Sequence, residues 1–129
     1  MDYVGTSINE SATVVYPASA ALTDARAIAV VLDEGGVVKL PTAGANVLGI
    51  TIMETEETVA AGADVDVQIK DIAKWKTAAA VKAGDELAAD AAGKAIVAAS
   101  DDFIVGIALT DGSSGDIVSV QITKSGYKS

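Results

Sequence analysis

Two stretches of this chain echo one another, and that echo limits the fold more than any other feature. "GADVDVQI" (Gly62–Ile69) returns as "GDIVSVQI" (Gly115–Ile122). Ahead of the first copy stands "VLGITIM" (Val47–Met53), and ahead of the second "IVGIALT" (Ile104–Thr110). Each unit reads as an apolar run with a central glycine, a polar loop, a glycine, and a run ending Val-Gln-Ile. The amphipathic runs alternate with period two. Val65, Val67 and Ile69 share one face with Asp64, Asp66 and Gln68 opposite, and Val118, Val120 and Ile122 repeat the pattern over Ser119 and Gln121. That period belongs to a half-buried strand. The runs at Val47–Met53 and Ile104–Thr110 are apolar on both faces, with Leu48, Ile50 and Ile52 aligning with Val105, Ile107 and Leu109. Such runs predict central strands covered on both sides.

The rest of the chain extends the β reading. "AIAVVLDEGGVVKLP" predicts a hairpin of Ala27–Leu32 and Val37–Leu40 around a turn at Asp33–Gly36. "DIAKWKT" and "KAIVAA" (Lys94–Ala99) predict two further strands. Many short strands with Gly-rich turns favour an all-β fold, a compact barrel or sandwich with duplicated strand units as the two halves of one barrel. Two Ala-rich stretches leave room for a short helix. "GDELAADAAGK" (Gly84–Lys94) has Asp85 as an N-cap and Gly93 as a C-terminal cap, and "SAALTDARA" (Ser19–Ala27) follows Ser19. A turn between two β segments is the alternative for Gly84–Lys94. A length of 129 residues suits one domain, read here as residues 26–129, behind an N-terminal arm or edge segment at 1–25. In that segment Tyr3, Val4, Ile8 and Tyr16 are β-formers. They suit either a frayed terminus with one edge strand or an arm that adds a strand to a partner's sheet.

The composition narrows the chemistry. The chain has neither Cys nor His, which removes disulfides, thiolate zinc sites, the commonest general base and the commonest transition-metal ligand. A net charge of −9 argues against a nucleic-acid partner. No apolar stretch has the length of a membrane span, and no signal segment stands out, so a soluble, cytoplasm-made protein is expected. Half the residues are hydrophobic but aromatics make up only 4%. A core this rich in alanine is thin, which predicts reliance on neighbouring subunits or a docking surface.

Several constellations could carry chemistry, and each has a plainer structural reading. Asp64 with Asp66 and Asp101 with Asp102 are the carboxylate pairs; the first lies on a polar strand face and the second in a turn. "DGSSGD" (Asp111–Asp116) offers oxygen ligands for calcium but lacks the EF-hand spacing, and a β-turn accounts for it equally. "KWK" (Lys74–Lys76) could stack single-stranded nucleic acid, yet Trp75 reads better as a core or interface anchor. "GVVKLPTAG" does not match a phosphate-binding loop, and Lys94 lacks the neighbours of a modifiable carrier lysine. No enzyme, metal site or cofactor is expected.

The order of segments resembles the head-decoration, or capsid cement, proteins of tailed bacteriophages. The features that carry the resemblance are "ARAIAVVLDEGGVVKLPTAG" as an opening hairpin, "VLGITIMETEETVAAGADVDVQI", "VKAGDELAADAAGK", and "IVGIALTDGSSGDIVSVQI" as a final strand pair. They span residues 26–123. The resemblance implies a β-barrel-like domain without catalytic residues, bound to the outer surface of an assembled phage head. It implies the major capsid protein as partner, a homo-oligomer with a trimer favoured, and a β-turn-β form for Gly84–Lys94. Tyr3, Val4, Ile8, Tyr16 and Trp75 are then the candidate capsid or subunit contacts. The alternative is a β-sandwich module that binds protein or carbohydrate, which would need exposed aromatics.

Overall fold

The computed structural model describes residues 12–129. Ten strands follow in order: β1 (Thr13–Pro17), β2 (Ala29–Asp33), β3 (Val37–Lys39), β4 (Gly49–Thr51), β5 (Asp64–Gln68), β6 (Asp71–Lys76), β7 (Glu86–Ala89), β8 (Ala95–Val97), β9 (Phe103–Ala108) and β10 (Ile117–Tyr127). They form two five-stranded antiparallel sheets packed together, with orders β1-β5-β4-β2-β3 and β6-β10-β9-β7-β8. The second order is the first with every strand moved on by five. The duplication legible in the β4–β5 and β9–β10 segments therefore covers the whole described chain. Each repeat builds its own sheet, which corrects the expectation that the two units complete one barrel.

The equivalence extends to individual hydrogen bonds. Ala18 N donates to Ala63 O at 2.9 Å, and its counterpart Thr77 N donates to Asp116 O at 2.8 Å. Ser19 N to Val38 O recurs as Ala78 N to Ala95 O, and Gly62 N to Ala18 O recurs as Gly115 N to Thr77 O. Single parallel bridges, Ala18 to Val38 and Thr77 to Ala95, join the outer strands of each sheet. One bridge curls a sheet without closing it. The architecture is a sandwich-like pair of curled sheets, and the barrel half of the expectation falls away.

The alternating runs place their side chains as their period dictates. Val65 and Val67 are buried on β5 while Asp64 and Asp66 face solvent, and Val118 and Val120 are buried on β10. The central position expected of the two-faced apolar runs is also observed, since β4 and β9 each stand third of five. Their glycines are required by packing. A Cβ on Gly49 would lie 2.2 Å from Gln68 O, and one on Gly106 would lie 2.3 Å from Gln121 O. One cluster, including Leu22, Ile28, Val30, Val38, Val65 and Val67, fills the first sheet. A second, including Trp75, Leu87, Phe103, Val105, Val118 and Val120, fills the other and also takes in Ala29, Val47 and Ile50 of the first repeat.

Among the described residues no helix forms, so the helical reading of Ser19–Ala27 is overturned, and Gly84–Lys94 takes the β-turn-β form that the resemblance implied rather than the helix. In Gly84–Lys94 the strand β7 buries Leu87, Ala88 and Ala89, which outweighs their helix propensity. Asp85, read as a helix cap, instead accepts from Lys82 N at 2.9 Å. The turn to β8 is set by Asp90, whose Oδ1 accepts from Ala92 N and Lys94 N, each at 2.9 Å. In Ser19–Ala27, Leu22 bridges Val59 and Ala27 takes φ 54°, which no α-helix admits. The segment ahead of residue 26 joins the first sheet as far as it is described: β1 is an edge strand, and Ala18, Leu22 and Ala25 are buried.

Candidate interaction surface

The joint between the repeats is built from backbone polar groups and one acid. Ala29 N donates to Gly93 O at 2.7 Å, and Lys76 N to Ala27 O at 2.8 Å. Gly44 inserts between β7 and β9, its N–H donating to Ala89 O at 2.8 Å and its carbonyl accepting from Phe103 N at 3.0 Å. Gly44 has φ 74°, and a Cβ there would stand 2.3 Å from Asp102 Oδ1, so only glycine fits the gap. The Gly93 carbonyl also accepts from Trp75 Nε1 at 2.8 Å. Beside this seam Asp24 of the first repeat pairs with Lys76 and, at 3.3 Å, with Lys94, both of the second. The hydrogen bond from Lys76, with Lys94 adding to it, holds the Asp24 carboxyl below its ordinary range against a smaller opposing effect of burial.

Trp75 is fully buried, so it is not a surface group; the anchor role it was expected to have is within the chain. Its neighbours in the basic cluster are engaged as well, Lys74 with Ser119 Oγ at 2.8 Å and Lys76 with Asp24. No stacking platform for nucleic acid remains there. Tyr16 is half-buried against the first core and occupies the position in its repeat that Trp75 occupies in the other: it faces Val65 as Trp75 faces Val118. Tyr3, Val4 and Ile8 lie outside the described residues.

The acidic candidates act on backbone. Asp102 Oδ2 accepts from Ala99 N and Asp116 Oδ2 from Ser113 N, both at 2.9 Å, while Asp111 Oδ1 accepts from Ala83 N at 2.8 Å. These carboxylates fix turns. Asp64 and Asp66 line a shallow open hollow with Glu54 and Glu56. Lys94 is held by Asp24 rather than displayed at a hairpin tip.

What the sequence reading passed over is the set of large apolar side chains left in solvent. Leu32, Leu40, Ile72 and Val97 are exposed, and so is Tyr127, which packs edge-on to Phe103 at 5.2 Å between ring centres. Lys124 lies 5.9 Å from the same ring, and burial lowers its pKa. The signal for Leu32 was available: it stands next to the Asp-Glu-Gly-Gly turn at a position filled by Ala89 in the other repeat. Seeing it requires the repeat to be traced beyond its strongest echo.

No family model matches the chain, and no curated protein matches it. Among solved structures it is similar to the N base of the head fiber gp8.5 of bacteriophage phi29, with a TM-score of 0.69 at 15% identity. The likeness covers 93% of this chain and 100% of that one. The two share a fold along essentially their whole lengths.

Proposed function

We propose that this chain is a non-catalytic structural protein of a phage head, bound to the outer surface of the shell through the major capsid protein and stabilising contacts between capsomers. The observation that carries the reading is the end-to-end likeness to a head fiber base. The physical character of the molecule supports it. Several of its charged groups, among them Asp111, Asp116, Asp24 and Lys76, are committed to turns and to the seam between repeats, and its strand order is duplicated. Such a scaffold offers rigidity and modest apolar contact area, and weak contacts become strong when repeated over a shell. A homo-oligomer, with a trimer favoured, multiplies them further. Stacking on sugars, as the carbohydrate-module alternative requires, is poorly served by Trp75 and Phe103, which are buried, and among the described residues falls to Tyr127, whose ring already packs on Phe103.

The test is sedimentation of the purified chain with expanded heads of its own phage that lack decoration. Saturable binding at a stoichiometry commensurate with the shell is the expected result. A chain that stays in the supernatant at all concentrations refutes the role.

A further inference from the structure

The two repeats are unequally covered. In the second, Gly44 fills the gap between β7 and β9, bonded to Ala89 O and Phe103 N, beside Gly93 and Trp75. The corresponding residues of the first repeat are Leu32, Asn46, Gly36 and Tyr16. Leu32 faces Val38 as Ala89 faces Ala95, which fixes the register of the comparison. Nothing described fills this first gap. Leu32 is 45% exposed, whereas Ala89 is wholly buried, and Asn46 is exposed where Phe103 is buried. A Cβ on Gly93 would meet Ala29 O at 2.4 Å, but one on Gly36 meets nothing within 4 Å. Among the described residues, the Asn46 N–H and the Gly36 carbonyl have no backbone partner.

We infer that the gap between β2 and β4 is where a loop of the coat protein docks, entering as Gly44 enters the sister gap. The inference rests on the head-binding role proposed above. The occupied gap specifies the chemistry of the entering segment. It must bring backbone N–H and C=O groups with no side-chain bulk at the point of entry, as a glycine does. It is uncharged there, because Lys76 and Lys94, which hold Asp24 at the occupied seam, correspond to Pro17 and Val37 at the open one. A second copy of this chain is a poor occupant. Its own counterpart of Gly44 is Asp101, with the same φ of 74°, but Asp101 N already donates to Lys128 O at 2.7 Å. Glu86, the counterpart of Ala29, is paired with Lys128 at 2.6 Å. The C-terminal strand thus covers the face that a second copy would have to offer.

The test compares Leu32→Asp with Val97→Asp, a control of matching exposure (46%) in the second repeat. Affinity for undecorated heads is measured for both, along with amide hydrogen exchange at Asn46 in free and head-bound wild type. The expected result is a loss of roughly tenfold or more for Leu32→Asp, near-wild-type binding for Val97→Asp, and slowed Asn46 exchange on the head. Undiminished binding by Leu32→Asp, or unchanged Asn46 exchange in the bound protein, overturns the docking site while leaving head binding intact. Failure of the wild type to bind heads overturns both. Should Leu32→Asp not fold, the Asn46 exchange decides alone.

Discussion

Alanine at Gly49 or Gly106 puts the duplication to a quantitative test. A Cβ at Gly49 would stand 2.2 Å from Gln68 O and 2.9 Å from Val67 Cγ1; at Gly106 the same atoms of the other repeat, Gln121 O and Val120 Cγ1, would be 2.3 Å and 2.8 Å away. The oxygens belong to the backbone of the adjoining strand, so no rotamer change relieves the clash. Reaching even 3.0 Å moves β5 or β10 away by about 0.7–0.8 Å. Overpacking of this kind costs about 1–3 kcal/mol, and a strained ladder hydrogen bond adds about 1 kcal/mol. Each variant is expected to lose about 2–4 kcal/mol, which lowers Tm by roughly 10 °C in a domain of this size. Urea unfolding followed by far-UV circular dichroism measures both. The stronger claim is that the two losses are alike, because the environments are. A loss below about 0.5 kcal/mol at either site refutes the packing argument. A disparity beyond about 2 kcal/mol refutes the energetic equivalence of the repeats.

Thr51→Val should cost about 2–4 kcal/mol despite its matching shape. Thr51 Oγ1 donates to Ala25 O at 2.6 Å and accepts from Ile28 N at 3.0 Å, both buried, and valine strands both groups; chemical denaturation reads the loss. Trp75, the single tryptophan, should emit blue-shifted fluorescence that resists acrylamide until global unfolding, and quenching in the native state would contradict its burial. Asp24 sets a pH dependence. Its folded carboxyl titrates below the ordinary 3.8, so its contribution is complete above about pH 4 and is lost as pH falls through the lowered value. Because the side chain is 44% exposed, the pairing is worth at most about 1 kcal/mol, and Asp24→Asn should remove that part of the acid slope.

How much of this was legible depends on which force decided each element. The strands around Val65–Ile69 and Val118–Ile122 were readable because burial of one face imposes a period of two. Their partners were readable because a strand buried on both faces has no polar side to show. The Ala-rich segments were not. Alanine favours a helix locally, but Leu87, Ala88 and Ala89 are buried in a sheet whose long-range pairing with Val97 and Ile107 leaves no trace in local propensity. Ala27 likewise takes a positive φ for which its sequence gives no hint. The burial of Trp75 and the half-exposure of Tyr16 are one position seen twice, and only the full strand order reveals that they correspond. The gap at Leu32 and Asn46 likewise comes into view only once the repeat is traced along the full strand order.

The asymmetry between identical strand orders carries the functional argument. When two copies of one unit pack face to tail rather than face to face, each joint consumes one surface of each kind and leaves one of each kind over. Here the first repeat's Ala29–Gly44 surface meets the second repeat's Ala89–Phe103 surface, leaving an equivalent receptor face on the first repeat and an equivalent donor face on the second. The donor face is closed by β10 running on past Ile122 to pair Gly126 with Ile104 and Tyr127 with Phe103. The first repeat has no such extension because β5 ends at Gln68 and the chain turns into β6. With that face paired to its own C-terminal strand, the chain does not present to a second copy the surface that Ala29 and Gly44 present at the internal joint. The receptor face of the first repeat, at Leu32 and Asn46, stays uncovered among the described residues.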